Sequence, residues 1–225
     1  MKYTTLFLDL DNTLLDFNKA EETAIRKVLK ANNLPFDDNA IKTYSKINLS
    51  FWKRFEKGEI EKSEIFEGRF IKFLEVMNLK GDTAKISKEY CGFLSEGYFT
   101  VDGAEDILTY LKNKRYYLCA TTNGLSLTQF KRIKNSGLEP YFDGIFVSEA
   151  TGHQKPEKGY FDYVIDNIPE KDRSKILIIG DSQSSDILGG INSDIDTCWY
   201  NQDNSASKYE SKYTIKNLSE LKEIL

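Results

Sequence analysis

Residues 3–13 read Tyr3-Thr4-Thr5-Leu6-Phe7-Leu8-Asp9-Leu10-Asp11-Asn12-Thr13. A short apolar run ended by acidic and amide residues predicts a β-strand buried on both faces, with a polar cluster at its carboxyl end. Three further runs repeat the arrangement. Tyr116–Ala120 precedes Thr121-Thr122-Asn123-Gly124, Gly144–Val147 precedes Ser148-Glu149, and Lys175–Ile179 precedes Gly180-Asp181-Ser182. A fifth run, Thr197–Tyr200, follows one helix later. Helix-length segments separate the runs, so the fold class is α/β, with a doubly wound, Rossmann-like parallel sheet as its core. Ligands of such sheets lie outside the carboxyl ends of the strands, where the polar clusters fall.

The pattern changes between the first strand and the second. Glu21–Asn33, Asp38–Lys57, Ser63–Asn78 and Ala84–Tyr98 repeat apolar residues at three- and four-residue spacing, broken at Leu34-Pro35, Gly58 and Gly81. One crossover needs one helix, and four helices without a strand predict an inserted helical bundle. The expected division is residues 1–15 and 100–225 for the α/β core and 16–99 for the helical insertion. Trp52, Phe55 and Phe66 could stack on a planar ligand, although aromatics at helical spacing more often form the bundle's own core.

Composition narrows the partners. The chain has 225 residues, 40% of them hydrophobic, and a formal charge of −4, with a pI near 5.3. That balance leaves no electrostatic footprint for nucleic acid, and a small anion would need local cations or a metal. No apolar run approaches the ~20 residues of a membrane span, so no membrane role and a cytoplasmic setting are expected. Cys91, Cys119 and Cys198 have no metal-ligand spacing, and the last two sit in apolar runs as expected buried thiols.

Four clusters carry candidate chemistry. Asp9 and Asp11 place two carboxylates at one strand mouth, where like charges are costly unless a cation or shared proton relieves them. Taken alone, one of them could equally cap the next helix. Thr122 offers a hydroxyl beside backbone N–H groups at a second strand end, suited to phosphate oxygens, although Thr-Asn-Gly is also a common turn. Lys155 precedes Pro156 in a loop and could reach inward as a fixed positive charge. His153, the only histidine, reads as a loop residue. Asp181 ends a further strand, Asp186 lies five residues on, and a third carboxylate joining Asp9 and Asp11 would make a hard-oxygen site suited to Mg2+.

The order of acid pair, hydroxyl, lysine and acid resembles the haloacid dehalogenase-like (HAD) hydrolase superfamily over essentially the whole chain. Its first motif, Asp-x-Asp-x-Thr, falls on Asp9, Asp11 and Thr13. Its second-motif hydroxyl falls on Thr122, its third-motif lysine on Lys155 and its fourth-motif acids on Asp181 and Asp186. No motif residue departs from the pattern, and the insertion looks like the family's type-one cap.

The resemblance implies a magnesium-dependent phosphatase. Asp9 would be the nucleophile that forms an aspartyl-phosphate, and Asp11 the general acid and base. Magnesium would be held by Asp9, the Asp11 backbone carbonyl and Asp181, with Asp186 behind them holding a bound water. Thr122, Lys155 and the backbone N–H groups near Leu10 and Asn123 would bind phosphoryl oxygens. An acid at position 11 argues against carbon–halogen chemistry, since haloacid dehalogenases carry none two residues after the nucleophile. Within the phosphatases, Asn48-Leu49-Ser50-Phe51-Trp52, Lys57-Gly58-Glu59-Ile60, Arg69-Phe70 and Thr122-Asn123-Gly124 resemble the pyrimidine 5′-nucleotidase branch. The expected partner is thus a small phosphorylated metabolite, a nucleoside monophosphate first, acted on by a monomer or homodimer. The alternatives are a sugar-phosphate or other small-metabolite phosphatase, a phosphomutase, and a non-catalytic binding protein.

Overall fold

A computed structural model describes residues 2–225. Strand β1 (Thr5–Leu8) is followed by helices α1 (Phe17–Ala31), α2 (Asp38–Glu56), α3 (Lys62–Val76) and α4 (Thr83–Ser95). Then come α5 (Ala104–Asn113), β2 (Tyr117–Thr122), α6 (Ser126–Asn135), β3 (Gly144–Val147), the single turn α7 (Ser148–Thr151) and α8 (Lys158–Asp166). The chain ends with β4 (Ile176–Gly180), α9 (Leu188–Asn192), β5 (Asp196–Tyr200), β6 (Tyr213–Ile215) and α10 (Leu221–Ile224). By its contacts the chain divides into a sheet unit, which ends at Asp16 and resumes at Phe99, and a helical unit, Phe17–Tyr98.

The sheet is parallel throughout, in the order β3-β2-β1-β4-β5-β6. Strand β1 lies between β2 and β4, with Leu8 level with Ala120 on one side and Ile179 on the other. The strand order reverses there, so the segments that follow β1, β2 and β4 emerge together at one edge. Alternation along the strands makes two cores. Leu6, Leu8, Leu118, Ala120, Leu177 and Ile179 pack against Ile107, Leu108 and Leu111 of α5. Phe7, Cys119, Ile176 and Ile178 face the opposite way, toward Phe161, Val164 and Ile165 of α8. Cys119 and Cys198 are buried free thiols.

The sixth strand is a difference from the sequence expectation. Only Ile215 of its three residues is buried, so no apolar run announces it. Helix α1 also begins four residues before the predicted Glu21, because its first turn, Phe17-Asn18-Lys19-Ala20, shows little periodic apolar signal.

In the helical unit, Tyr44 of α2 stacks on Phe70 at 5.1 Å and meets Tyr90 of α4 at 5.3 Å between ring centres. Phe55 is buried with Ile60 and Ile65, and Trp52 packs edge-on against it. Among the described residues, no helix is long and apolar enough to cross a membrane.

Candidate active site

Each site begins where a strand runs out. After β1 the chain continues through Asp9, Leu10 and Asp11, then turns at Asn12, whose φ of 61° is a left-handed conformation that asparagine tolerates. Asp9 donates its backbone N–H to Ile179 O at 2.9 Å, so it is still clamped to β4. Thr13, fully buried, joins the two strand ends: its Oγ1 accepts from Asp181 N at 3.0 Å and donates to Asp181 Oδ1 at 3.3 Å. Trp199 of β5 supports the same residue from behind, donating Nε1–H to Asp181 O at 2.8 Å.

Lys155 enters from the loop before α8. Its ammonium, 1% exposed, donates to Asp9 Oδ1 at 2.6 Å, Asp186 Oδ1 at 2.7 Å and Thr121 O at 3.0 Å. Asn123 holds the loop in place. Its amide Nδ2 donates to Lys155 O at 2.8 Å and its Oδ1 accepts from Lys155 N at 2.9 Å. The sequence reading credits Asn123 with a backbone N–H only; its side chain fixes the lysine that reaches Asp9.

Asp186 is fully buried and lies in a π-helical turn, Gln183–Ile187. Such turns concentrate at functional sites. Here the turn brings the carboxylate back over the end of β4, where Oδ2 accepts from Ser182 N at 3.1 Å. A Cβ on Gly180 would lie 2.2 Å from that oxygen, so only glycine fits below it.

The second acid has different company. Asp11 Oδ2 accepts from Gln129 Nε2 at 2.8 Å, and Oδ1 is ion-paired with the buried Arg132 guanidinium. Gln129 Nε2 also donates to Thr122 Oγ1 at 2.8 Å, and Gln129 Oε1 accepts from Arg132 at 3.1 Å. Thr122 N is taken by Tyr160 Oη at 3.1 Å. Among the described residues no protein acceptor takes the N–H of Leu10 or Asn123. The sequence reading missed Gln129 and Arg132, whose signal shows only once the helix face is known: the buried stripe of α6 is Thr128, Gln129, Arg132 and Ile133. Three polar residues on a buried helix face need a polar object to face.

The electrostatics follow from crowding. Burial raises Asp9 to about 7 against the pull of Lys155, and Asp186 and Asp11 add to the rise. Burial likewise holds Asp181 well above the usual carboxylate range, with Asp9 and Asp186 contributing. Burial would lower Lys155, but Asp186 and Asp9 outweigh it and its ammonium is held above the ordinary value. Four carboxylates thus face two cations, Lys155 and Arg132. His153 stands outside, exposed, with Nδ1 3.0 Å from Glu157 Oε2.

The haloacid dehalogenase-like hydrolase family matches residues 6–200, a span that takes in every residue of this arrangement. The chain belongs to that family. YfnB of Bacillus subtilis (strain 168), named for the HAD hydrolases, is 41% identical over 226 residues, covering 100% of this chain and 96% of the relative. A crystal structure of YfnB bound to magnesium superposes with a TM-score of 0.94, covering 100% of this chain and 99% of that one. The pyrimidine 5′-nucleotidase PynA of Streptococcus pneumoniae (strain ATCC BAA-255 / R6) is 38% identical, over 89% of this chain and 85% of the relative. The pyrimidine 5′-nucleotidase YjjG of Escherichia coli (strain K12) is 30% identical, over 100% and 99%.

The acid set of this HAD hydrolase fits a divalent cation on its own chemistry. Carboxylate oxygens of Asp9, Asp181 and Asp186 lie within 4.8 Å of one another, and all are hard donors of the kind Mg2+ takes. Asp186 has both oxygens engaged, by Lys155 and by Ser182 N. Asp9 and Asp181 would therefore be the better direct ligands, with Asp186 set behind them.

Proposed function

We propose that this HAD hydrolase is a magnesium-dependent phosphate-monoester hydrolase working through an aspartyl-phosphate on Asp9, with pyrimidine nucleoside 5′-monophosphates as its first substrates. The observation that carries the reading is the unequal surroundings of Asp9 and Asp11. Asp9 is paired with Lys155 inside the acidic cluster, and Asp11 is held apart by Arg132 and Gln129. Two carboxylates in different environments can take different roles.

In the first half-reaction a carboxylate oxygen of Asp9 attacks phosphorus, the P–O ester bond breaks, and Asp11 gives its proton to the departing alkoxide. In the second, water attacks the phosphorus of the aspartyl-phosphate, Asp11 takes its proton, and inorganic phosphate leaves with Asp9 restored. Thr122 Oγ1, Lys155 and the N–H groups of Leu10 and Asn123 bind phosphoryl oxygens, and Lys155 offsets their charge. Asp9, Asp181 and the Asp11 carbonyl would hold magnesium, with Asp186 behind, and the ion would supply further charge neutralisation. Lys155, 2.6 Å from Asp9 Oδ1, favours the ionised carboxylate that the attack requires. The pyrimidine preference rests on PynA and YjjG. The helical unit would then act as the cap that selects the leaving group.

The test is phosphate release from nucleoside monophosphates, sugar phosphates and an aryl phosphate, with magnesium and with chelator. Release that needs magnesium and is strongest on pyrimidine nucleotides is the expected result. Release concentrated on sugar phosphates would keep the mechanism and discard the nucleotide preference. The variant Asp9→Asn should remain folded and lose activity by about four orders of magnitude or more, as loss of a covalent nucleophile does. Near-normal turnover in that variant would sink the mechanism.

A further inference from the structure

Helix α6 presents Gln129 and Arg132, one turn apart, to the carboxylate of Asp11. Both side chains are 1% exposed. A guanidinium only donates, so Gln129 Oε1 must face Arg132, and that fixes Gln129 Nε2 toward Asp11 and Thr122. The amide cannot turn over without setting its NH2 against Arg132. Gly124 makes room for it: a Cβ there would lie 2.6 Å from the Gln129 side chain.

Two consequences follow. The Asp11 carboxylate is gripped through both oxygens, Oδ1 by Arg132 and Oδ2 by Gln129. The oxygen of Thr122 accepts twice, from Gln129 Nε2 at 2.8 Å and from Gly124 N at 3.0 Å. With its lone pairs occupied, the Thr122 hydroxyl has only its hydrogen left to offer, and that hydrogen is free to donate to an anionic oxygen.

We propose that Gln129 and Arg132 are positioning residues that place Asp11 for proton transfer, and that Gln129 also sets the Thr122 hydroxyl as a donor to the phosphoryl group. The inference rests on the reading of Asp11 as the general acid and base. Arg132 acts through Asp11 and governs how well the leaving oxygen receives its proton. Gln129 acts through Asp11 and Thr122 together, linking proton transfer to phosphate binding by a single amide.

The experiment compares Arg132→Met, Arg132→Lys, Gln129→Met and Asp11→Asn in the full chain with magnesium. Each is assayed on the best unactivated ester from the substrate panel and on 4-nitrophenyl phosphate, whose leaving group needs no acid. Arg132→Met should lower kcat on the unactivated ester by roughly ten- to a hundredfold, up to the lower edge of what general acid–base catalysis contributes, since the acid is displaced and not removed. Its KM should stay within about threefold, as for a group that acts only in the transition state. The aryl ester should lose far less in kcat/KM, which stops at the first P–O cleavage and so leaves out the later role of Asp11 with water. Arg132→Lys should recover much of the lost rate, because an ammonium can still reach Oδ1. Gln129→Met should raise KM on both esters, since both use Thr122, and should lower kcat mainly on the unactivated one.

Equal slowing of the two esters by Arg132→Met, or no slowing, overturns the role of Arg132. If that variant does not fold, Gln129→Met decides, and an unchanged KM on both esters overturns the proposal. Asp11→Asn separates the two levels. If it spares kcat/KM on the aryl ester and Arg132→Met does not, the inference fails alone. If it lowers kcat/KM, which reports only the first half-reaction, equally on both esters, the acid role of Asp11 fails and takes the inference with it.

Discussion

Lys155 in the sheet unit meets its carboxylates directly, at 2.6 Å from Asp9 and 2.7 Å from Asp186. Arg69 in the helical unit, 2% exposed, reaches Glu21 through an intermediary. Its Nη1 donates to Asn48 Oδ1 at 2.9 Å, and Asn48 Nδ2 donates to Glu21 Oε1 at 2.6 Å. Ser45 Oγ caps the other Glu21 oxygen at 2.6 Å, and the guanidinium lies 4.6 Å from the centre of the Tyr90 ring. Both regions bury charge that would rather be hydrated. The sheet unit compresses it into a cluster whose acids stay crowded, the arrangement on which the proposed cation and phosphoryl binding rests. The helical unit spreads it along a chain of neutral amide, hydroxyl and ring, and among the described residues leaves Arg69 Nε without a hydrogen-bond partner. Charge in contact serves chemistry, and charge at one remove ties α1, α2 and α3 to one another.

The largest effect should come from Lys155→Met, which keeps the side-chain length and removes the ammonium. Two buried carboxylates then lose their direct partner, a change that costs about 3–5 kcal/mol when a buried pair is broken. Urea unfolding in chelator should show that loss, and phosphate release should fall by orders of magnitude because the proposed mechanism sets the same ammonium against the phosphoryl oxygens. A stability loss under about 1 kcal/mol, the size of an exposed pair, would mean that the cluster is far better hydrated than its burial implies.

The contrast also sets what could be read from sequence. The sheet unit's acids, hydroxyl and lysine each sit at or just beyond the end of an apolar strand, where chain order alone brings them to one edge. Asp9, Asp11, Thr122 and Asp181 needed only the strand pattern, and Lys155 and Asp186 needed the loop and turn that follow. Gln129 and Arg132 were illegible by the same rule, because an arginine on a helix reads as solvated until the face it occupies is known. Asn123 was half legible: its place was clear, and its side-chain grip on the Lys155 backbone depends on two loops meeting. The chain linking Glu21, Asn48 and Arg69 spans three helices, and nothing in helical periodicity pairs a residue of one helix with a given residue of another. Strand β6 escaped notice because burial of Ile215 alone leaves no pattern.

Arg69→Met tests the helical side of the contrast and should cost less than Lys155→Met. The variant loses the bond to Asn48, a long contact to Cys91 Sγ at 3.8 Å, and the stacking on Tyr90. It also removes the unpartnered Nε, which favours the variant. A net loss of about 1–3 kcal/mol is expected, the scale of hydrogen bonds to a charged group. Hydrogen exchange should localise it to α1–α4 and leave the amides of β1 and β4 protected. A loss as large as that of Lys155→Met would show Arg69 and Glu21 to be coupled as tightly as a direct pair.

The smallest effect is a slope rather than a loss. Burial raises the Glu21 carboxyl above its ordinary 4.5, while Ser45, Asn48 and Arg69 pull it down without cancelling the rise. A carboxyl raised in the folded state binds its proton more tightly there than in the unfolded chain. Its contribution to stability is therefore fully present below 4.5 and is lost as pH climbs through the raised folded value. Asp9, raised to about 7, adds a loss of the same sign higher on the scale, so the wild-type curve alone cannot assign the slope. Asp181, also raised, adds another, and Glu21→Gln removes only its own titration and leaves those of Asp9 and Asp181. Unfolding free energies of wild type and variant, measured from pH 4 to pH 8 in chelator, should converge in slope near neutrality. They should differ just above 4.5, where only the wild type is losing stability at position 21. If the two curves run parallel throughout, the hydrogen bonds from Ser45 and Asn48 and the charge of Arg69 already balance the burial of Glu21. The indirect arrangement would then hold a buried carboxylate as comfortably as water does.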